Sequence, residues 1–390
     1  MLQLIELFLK QNYTITFAST AQKGERTLEL KSIGVLEEKI ELNSNSFDIF
    51  ISELNPEIVL FDRFMMEEQF GWRVTENCPK AIRILDTEDL HSLRKVRYEA
   101  IKKNIDFKIE DLLKSNIAKR EIAAILRCDL SLIISTFEIK LLQDVFKIDK
   151  SLVYHLPFLF NEIDEKQQKD WKTFKERNHF VTIGNFLHAP NVDAVLELKK
   201  RIWKQIKEKL PDAEMHVYGA YPTQQVLELH NKKEGFLIKG FVKDAEEVVR
   251  KAKVVIAPLR FGAGIKGKLT EAMLCGTPSV TTIIGAEGMH EILPWNGFIE
   301  NDFNEFAKKA IQLYEDENTW NDSQKNGIEI INKLYSKKEL GRLFIDRIIQ
   351  LQNTIESHRS QNFFGSLLHH QSLQATKYMS KWIEEKNKNN

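Results

Sequence analysis

The chain has 390 residues, of which 43% are hydrophobic and 29% are charged, proportions that are ordinary for a globular protein with two domains. Its 56 Lys and Arg residues equal its 56 Asp and Glu residues, so we expect no nucleic-acid partner, because no net positive field would attract one. No apolar run reaches the roughly 18 residues that span a bilayer, no signal peptide is recognisable, and the three isolated cysteines favour a reducing cytoplasm.

Helix and strand patterns alternate through the first half of the chain. It opens with a helix-like segment at 2–9 rather than with a strand and a glycine loop. Short apolar runs then predict strands at 14–18, 58–62, 81–86, 129–135 and 151–155. Helices are predicted between them at 46–54, 92–102 and 109–127.

The second half repeats this alternation. Strands are predicted at 180–184, 214–218, 235–239, 253–257 and 279–283, and helices at 191–209, 245–251 and 267–275. Two successive strand–helix series predict an α/β fold with two Rossmann-like, doubly wound parallel sheets that face a cleft. We expect a first domain at 1–160, a hinge region at 161–178, a second domain at 179–352 and a tail at 353–390.

The tail requires a separate interpretation. Helices are predicted at 303–314, 318–334 and 337–352, followed by a polar break after 354 and a last helix near 371–386. Its apolar positions form a stripe of Leu373, Tyr378, Met379, Trp382 and Ile383. Packing of this helix back onto the first domain is favoured, and a helix that contacts a partner or a membrane surface is the alternative.

A glycine-rich loop follows the strand predicted at 253–257. Gly262 and Gly264 lie in this loop, Lys266 and Lys268 come next, and a helix begins at about 267. A helix start offers free backbone N–H groups and the positive end of a dipole, so it suits an anion. Arg260 adds a third cation beside the loop. A phosphate group is the expected ligand.

A Walker A motif is one interpretation of this loop. Gly262, Gly267 and Lys268 fit the spacing G-x-x-x-x-G-K, but Leu269 stands where Ser or Thr should bind Mg²⁺. The loop also follows several strand–helix units rather than the first strand of a domain. A nucleotide-hydrolysing P-loop is therefore disfavoured.

Three ordered motifs carry a family resemblance instead. Residues 258–282, which begin Pro-Leu-Arg-Phe-Gly-Ala-Gly-Ile-Lys-Gly-Lys-Leu, resemble the donor half of GT-B glycosyltransferases of the large retaining "group 1" class. Ile-Gly-Asn-Phe at 183–186 with His-Ala-Pro-Asn at 188–191, and Gly-Phe-Val at 240–242, are similar to further parts of that half. The resemblance is strong over 180–297 and weaker in the first half. The strand at 14–18 resembles the second strand of the GT-B fold, so the first strand is expected to be missing.

The resemblance implies roles for the donor-side residues. Arg260 and Lys268 would neutralise the donor pyrophosphate, and Lys266 is a third cation that is expected to point outward. Glu271 would hold the ribose hydroxyls, although a charge that complements the helix dipole is the alternative. The family's second glutamate is replaced here by Ala263. The remaining donor-side candidates are expected to line the same pocket: Gly184, Asn185, Val242 with Phe241, Gly262, Gly264, Glu287 and Gly288.

Candidate catalytic residues follow the strand predicted at 81–86. Asp86, Asp89 and His91 lie in a segment that resembles the Asp-x-x-Asp segment of many group 1 enzymes. Asp89 or His91 would bind the donor sugar or orient the acceptor hydroxyl. The equally weighted alternative is that Asp89 or Ser92 merely caps the next helix.

The resemblance implies a glycosyltransferase that moves a sugar, with retention, from a nucleotide-diphosphate sugar to a glycan or lipid-linked acceptor in polysaccharide assembly. The acceptor hydroxyl would attack the face from which the diphosphate leaves, and a phosphate oxygen would take the proton. No D-x-D motif stands between the halves, so we expect no metal ion and no cofactor. A GT-B nucleotide-sugar epimerase or hydrolase, and a catalytically silent binding subunit, are the alternatives.

Overall fold

The computed structural model describes residues 1–24 and 27–388, without the side chains of 372–374 and 387–388. The first half contains two parallel sheets. A small sheet pairs β1 (Thr16–Ser19) with β2 (Leu36–Lys39), and a larger sheet holds, in spatial order, β3 (Ile58–Asp62), β4 (Ile82–Asp86), β5 (Leu130–Ile133) and β6 (Val153–His155). Its helices are α1 (Leu2–Lys10), α2 (Ser46–Leu54), α3 (Phe64–Asn77), α4 (His91–Lys103), α5 (Ile109–Lys114), α6 (Asn116–Arg127) and α7 (Thr136–Asp144).

The second half is built on a six-stranded parallel sheet. Its strands are β7 (Asn178–Ile183), β8 (Met215–Tyr218), β9 (Phe236–Gly240), β10 (Ala252–Ala257), β11 (Ser279–Thr281) and β12 (Gly297–Ile299). Their spatial order is β12-β11-β10-β7-β8-β9, so the strand order reverses between β7 and β10. In an open α/β sheet, ligands bind beyond the carboxyl ends of the strands at such a reversal. Every residue of β10 is buried, as its continuous apolar run predicts.

Helices cover both faces of this sheet and continue to the end of the described chain. They are α8 (Glu165–Lys169), α9 (Ala189–Glu197), α10 (Trp203–Lys209), α11 (Gln224–Leu227), α12 (Ala245–Lys251), α13 (Gly267–Leu274), α14 (Ile283–Ala286), α15 (Phe303–Glu315), α16 (Glu317–Leu334), α17 (Lys337–Gln361) and α18 (Phe363–Lys388). Within the described residues, no helix combines the length and apolar character needed to cross a bilayer.

Several boundaries differ from those predicted. The single helix predicted at 109–127 is interrupted at Ser115, whose backbone is extended and whose hydroxyl accepts the Ala118 N–H at the start of α6. The strand predicted at 279–283 ends at Thr281, because the Thr282 hydroxyl caps α14 by accepting the Gly285 N–H at 3.0 Å. Side-chain capping thus ends both elements earlier than hydrophobic periodicity indicates.

The polar break predicted after 354 is also wrong. Helix α17 continues to Gln361, since Ile348, Leu351 and Ile355 keep a helical spacing and pack against the first half. Two strands, β2 and β12, were missed, because neither contains a fully buried residue and β2 reads Leu-Glu-Glu-Lys, which gives no apolar run.

The last helix packs on α3 and α6 of the first half. Buried Arg73 donates to the Ser380 hydroxyl at 3.0 Å and forms an ion pair with Glu384. The predicted apolar stripe is not the packing face, because Tyr378, Met379 and Trp382 are exposed by about 60%.

The two other residues of the predicted apolar stripe do not make it the packing face of α18. Ile383 is half-buried, and the side chain of Leu373 lies outside the described residues. Among the described side chains of α18, Ser380 and Glu384 thus contact the first half, while Tyr378, Met379 and Trp382 stay on the surface.

Candidate functional site

A cavity of about 530 Å³ lies between the two halves, beyond the carboxyl ends of β7 and β10. The second half supplies most of its lining, and the first half contributes Asp89 and Arg94. Eight of the predicted donor-side residues line it: Gly184, Asn185, Phe241, Val242, Gly262, Lys266, Lys268 and Glu271. This is the position that the reversal of strand order predicts for a ligand.

The glycine loop brings the two halves into contact. Gly264 has a φ of +62°, which favours glycine, and a Cβ atom there would lie 2.8 Å from the Asp89 Cβ. Its backbone N–H donates to the Glu138 carboxylate at 2.8 Å. Gly264 itself is not part of the lining. Its role in this structure is to allow close approach to the first half.

The start of α13 forms one wall of the cavity. Gly267 and Lys268, the first two residues of this helix, both line the cavity. In the part of the chain that the structure describes, no side chain caps this helix start. The first-turn N–H groups and the positive end of the helix dipole therefore suit an anionic group in the cavity.

Lys268 is held in the cavity by the first turn of α9. Its Nζ donates to Asn191 Oδ1 at 2.7 Å, and the Asn191 amide donates to the Asn185 carbonyl at 2.8 Å. A Cβ atom on Gly184 would lie 2.7 Å from the Asn191 side chain, so glycine is needed there. Burial lowers the pKa of Lys268 to about 8. The cation is partly desolvated, which strengthens its attraction to an anion.

The expectation that Lys266 points outward is wrong. Its side chain is buried, and Nζ donates to the Gly264 carbonyl at 2.8 Å. Burial lowers the pKa of Lys266 to about 8, although the carboxylates of Glu287 and Glu138 oppose that change. Lys266 therefore holds the glycine loop as well as lining the cavity.

Arg260 lies outside the cavity lining. Its Nε donates to Asp193 Oδ2 at 2.9 Å, and its Nη2 lies 3.5 Å from Glu197 Oε1. The two carboxylates already neutralise this guanidinium. The predicted contact between Arg260 and a pyrophosphate does not fit this arrangement, because the ion pairs would first have to break.

Glu287 and Gly288 also lie outside the lining, at the contact between the halves. Arg97 of the first half donates to both Glu287 oxygens at 2.8 Å and to the Gly262 carbonyl at 2.9 Å. A Cβ atom on Gly288 would lie 2.1 Å from the Ser135 hydroxyl. Glu287 and Gly288 therefore contact the first half and do not line the pocket as predicted.

Of the three candidate catalytic residues, only Asp89 lines the cavity. Its side chain is buried, Oδ2 accepts from Arg94, and Oδ1 has no hydrogen-bond partner among the described residues. His91 lies behind it, with Nε2 3.4 Å from Asp89 Oδ1, and burial lowers its pKa to about 4. Burial raises the pKa of Asp86, which is also outside the lining, to about 6.

The capping alternative for Asp89 and Ser92 is wrong. Neither side chain caps α4. Instead, the buried Glu121 carboxylate accepts the N–H groups of His91 at 2.9 Å and Ser92 at 3.1 Å. Asp89 is therefore free of a helix-capping role.

Glu138 is a residue that the sequence interpretation missed. It lies in the first turn of α7, and one oxygen accepts the N–H groups of Leu90 at 3.1 Å and Gly264 at 2.8 Å. Its other oxygen is buried without a hydrogen-bond partner within the described part of the chain. Burial, aided by Asp89, raises the pKa of Glu138 to about 8. Its position after the predicted strand at 129–135 was the one available signal.

Other residues that line the cavity could contact the base and the ribose of a nucleotide. Phe241, which is 55% exposed, and Val242 present apolar surface, while the half-buried Glu271 presents a carboxylate. Burial raises the pKa of Glu271, and nearby acidic groups act in the same direction. These groups could contact a base and ribose hydroxyls respectively.

Comparisons with known proteins agree with this architecture. Residues 177–316 match the family described as glycosyl transferases group 1. The fold is similar to that of sucrose-phosphate synthase (tll1590) from Thermosynechococcus elongatus, with a TM-score of 0.66 and 14% identity over 90% of this chain and 92% of that one. Anabaena Alr3699/HepE in complex with UDP and glucose gives a TM-score of 0.63 and 14% identity over 90% of this chain and 95% of that one.

A TarM mutant from S. aureus, in complex with fondaparinux, alpha-GlcNAc-glycerol and UDP, is also similar, with a TM-score of 0.59 and 15% identity. That match covers 78% of this chain but only 58% of the TarM chain. No curated protein sequence matches this chain significantly. The chain has the two-domain GT-B fold of these structures, and residues 177–316 match the glycosyl transferases group 1 family.

Proposed function

We propose that this protein transfers a sugar from a nucleotide-diphosphate sugar to a glycan or lipid-linked acceptor, with retention of the anomeric configuration. The observation that carries the proposal is the placement of Lys268 beside the uncapped start of α13 on a cavity between two Rossmann-like halves. The HepE and TarM structures described above both contain UDP, which makes UDP the first nucleotide to test.

The donor would lie with its diphosphate at the start of α13. Lys268 and the first-turn N–H groups would stabilise the negative charge that develops as the nucleoside diphosphate leaves. Glu271 would accept the ribose hydroxyls, and Phe241 and Val242 would flank the base. This arrangement supplies charge stabilisation from the protein itself, so we propose that catalysis is independent of a metal ion and of a cofactor.

The acceptor would enter from the first half. Asp89 is the carboxylate residue nearest to that role, since it is the acidic residue of the first half that lines the cavity. It would accept a hydroxyl of the sugar or of the acceptor. For retention, the acceptor hydroxyl would attack on the leaving-group face and pass its proton to a phosphate oxygen. The protein would contribute position and charge.

A peripheral contact with a membrane is part of the proposal for a lipid-linked acceptor. Phe363, Phe364 and Trp382 on α18 are at least 60% exposed, and the exposed lysines Lys381 and Lys386 flank Trp382. Aromatic groups beside cations suit an anionic bilayer surface. The proposed location is the cytoplasm, which agrees with three cysteines that are buried and free.

Turnover measurements test the transferase proposal directly. Purified protein is incubated with UDP-sugars, with and without a panel of glycan and lipid-linked acceptors, and the released UDP and the anomeric configuration of the product are measured. Release that requires an acceptor, with a retained configuration, supports the proposal. Release without an acceptor would instead favour the hydrolase alternative, and interconversion of UDP-sugars without net release of UDP would favour the epimerase. The buried Asp89 carboxylate on the cavity is the structural argument for these alternatives. Binding of UDP without any turnover would favour the silent subunit.

A further inference from the structure

Two histidines and a glutamate meet at the amino ends of β7 and β8, at the edge of the sheet opposite to the cavity. His179 lies near the start of β7, Glu214 immediately precedes β8, and His216 lies within β8. Alternation along the strand places Glu214 and His216 on the same face. The imidazole rings of His179 and His216 stack with their centroids 4.4 Å apart.

The potential ligand atoms of the three side chains lie close together. Glu214 Oε2 lies 2.7 Å from His216 Nε2 and 3.8 Å from His179 Nδ1, and the three atoms all lie within 4.8 Å of one another. Ligands of a tetrahedral zinc ion, at about 2.0–2.2 Å from the metal, are roughly 3.3 Å apart. To reach this geometry, the His179 and His216 rings must rotate out of their stacked arrangement so that both ring nitrogens point at one ion.

The backbone at His179 provides an independent indication. Its φ of +67° lies in the left-handed region, which a residue with a side chain seldom adopts. Its N–H donates to the Tyr314 hydroxyl at 3.4 Å, which helps to hold this conformation. Strained backbone of this kind concentrates at functional positions. The conformation directs the His179 imidazole onto His216.

The chemistry of the three side chains also suits a metal ion, because two ring nitrogens and a carboxylate oxygen are ligands that zinc accepts. The exposed Lys239 is the further charged group that faces the cluster, and its positive charge opposes a cation without occupying the ligand positions.

We infer that His179, Glu214 and His216 form a binding site for one divalent transition-metal ion of the zinc class. Imidazole nitrogens favour Zn²⁺, Ni²⁺ and Cu²⁺ over Mg²⁺ and Ca²⁺, which prefer oxygen ligands. Three protein ligands leave one position for water. The ion would join the amino ends of β7 and β8 and stabilise the second half. This role is separate from glycosyl transfer, because the cluster and the cavity lie at opposite ends of the strands.

Calorimetric titration with ZnCl₂ tests this site on the full chain after treatment with a chelator. We expect one zinc ion per chain and an increase in Tm on zinc binding. His179→Asn removes the imidazole, while asparagine tolerates the left-handed conformation, and we expect at least tenfold weaker zinc binding. His216→Gln should give the same loss. The matched control is His370→Ala, which removes an exposed histidine outside the cluster and should leave zinc binding unchanged.

Two results would overturn the inference. One is wild-type protein that binds no zinc at micromolar concentration. The other is zinc binding that His179→Asn and His216→Gln leave as tight as in the His370→Ala control, which would assign the zinc to other surface groups. MgCl₂ titrated in the same way should give no comparable binding, and a Mg²⁺ affinity equal to that for Zn²⁺ would contradict the ligand assignment.

Discussion

The Glu138 carboxylate accepts the backbone N–H of Gly264 at 2.8 Å, and this hydrogen bond joins the first half to the glycine loop of the second. The same oxygen accepts the Leu90 N–H at 3.1 Å, so one buried group fixes the segment that carries Asp89 and the loop that precedes α13. Arg97 adds a second connection across the same contact, with hydrogen bonds to Glu287 and Gly262. The shape of the cavity therefore depends on residues that do not line it.

Removal of the Glu138 side chain tests this dependence. Glu138→Ala leaves two buried N–H groups without their acceptor, which is expected to reduce the free energy of unfolding by about 2–4 kcal/mol and to weaken UDP binding. Glu138→Gln keeps a carbonyl acceptor and is expected to stay close to wild type. Chemical denaturation and calorimetry measure the two effects. Equal behaviour of the two variants would contradict this account.

The titration of Glu138 predicts a dependence of stability on pH. Burial raises its pKa from 4.5 to about 8, so between these values the folded protein retains a proton that the unfolded chain releases. Stability contributed by this group is therefore lost as pH rises through that window, by at most about 1.4 kcal/mol per pH unit.

We expect Glu138→Gln to show a shallower decrease in unfolding free energy from pH 5 to 8, because glutamine does not titrate. Denaturation series at several pH values measure this slope. Glu41→Gln, at an exposed position, is the control and should retain the wild-type slope. A slope in Glu138→Gln as steep as that of wild type would show that other groups cause the pH dependence.

Gly264→Ala tests the close approach of the two halves. The new Cβ would lie 2.8 Å from the Asp89 Cβ and would also occupy an unfavourable φ of +62°. Gly34→Ala is a matched control, because Gly34 has a φ of +83° but no atom within 4 Å of the added Cβ.

We expect the control to lose about 1 kcal/mol from backbone strain alone, and Gly264→Ala to lose about 1–3 kcal/mol more and to bind UDP less tightly. Thermal unfolding and nucleotide titration provide the comparison. If both variants lost the same stability and Gly264→Ala bound UDP normally, the proposed contact with Asp89 would not be needed.

Vesicle sedimentation tests the proposed membrane contact of α18. Trp382→Ser combined with Phe363→Ser removes two exposed aromatic side chains and should reduce binding to vesicles that contain anionic lipid at least fivefold. Ile292→Ser is the control, since Ile292 is 97% exposed but lies outside α18. If the double variant and the control sedimented equally with the vesicles, the proposed membrane contact of α18 would be contradicted.

The sequence located the elements of one cavity wall correctly because their signals are contiguous. The buried strand β10, the glycine loop and the start of α13 follow one another within 252–274, so periodicity and glycine positions locate them. Glu138 and Arg97 could not be found in this way, because their partners lie 126 and 165 residues away along the chain.

The other differences between the predicted and the observed site also arise from contacts between residues that are far apart in the sequence. The sequence shows the charge of Arg260 but not that Asp193 neutralises it. The sequence also does not show that Lys266 and Glu121 are buried, because lysine and glutamate are normally surface residues. Charged residues that become buried through partners on other elements are therefore the part of this site that the sequence could not supply.

Binding of UDP to wild type and to Lys268→Met, measured by calorimetry with and without Mg²⁺, tests the central claim most directly. The proposal predicts that wild type binds one UDP equally well without Mg²⁺, and that Lys268→Met binds it about 10–100 times more weakly, because a desolvated charge–phosphate contact contributes about 1.5–3 kcal/mol. Binding that requires Mg²⁺, or UDP affinity that is unchanged in Lys268→Met, would contradict the assignment of the diphosphate to the start of α13.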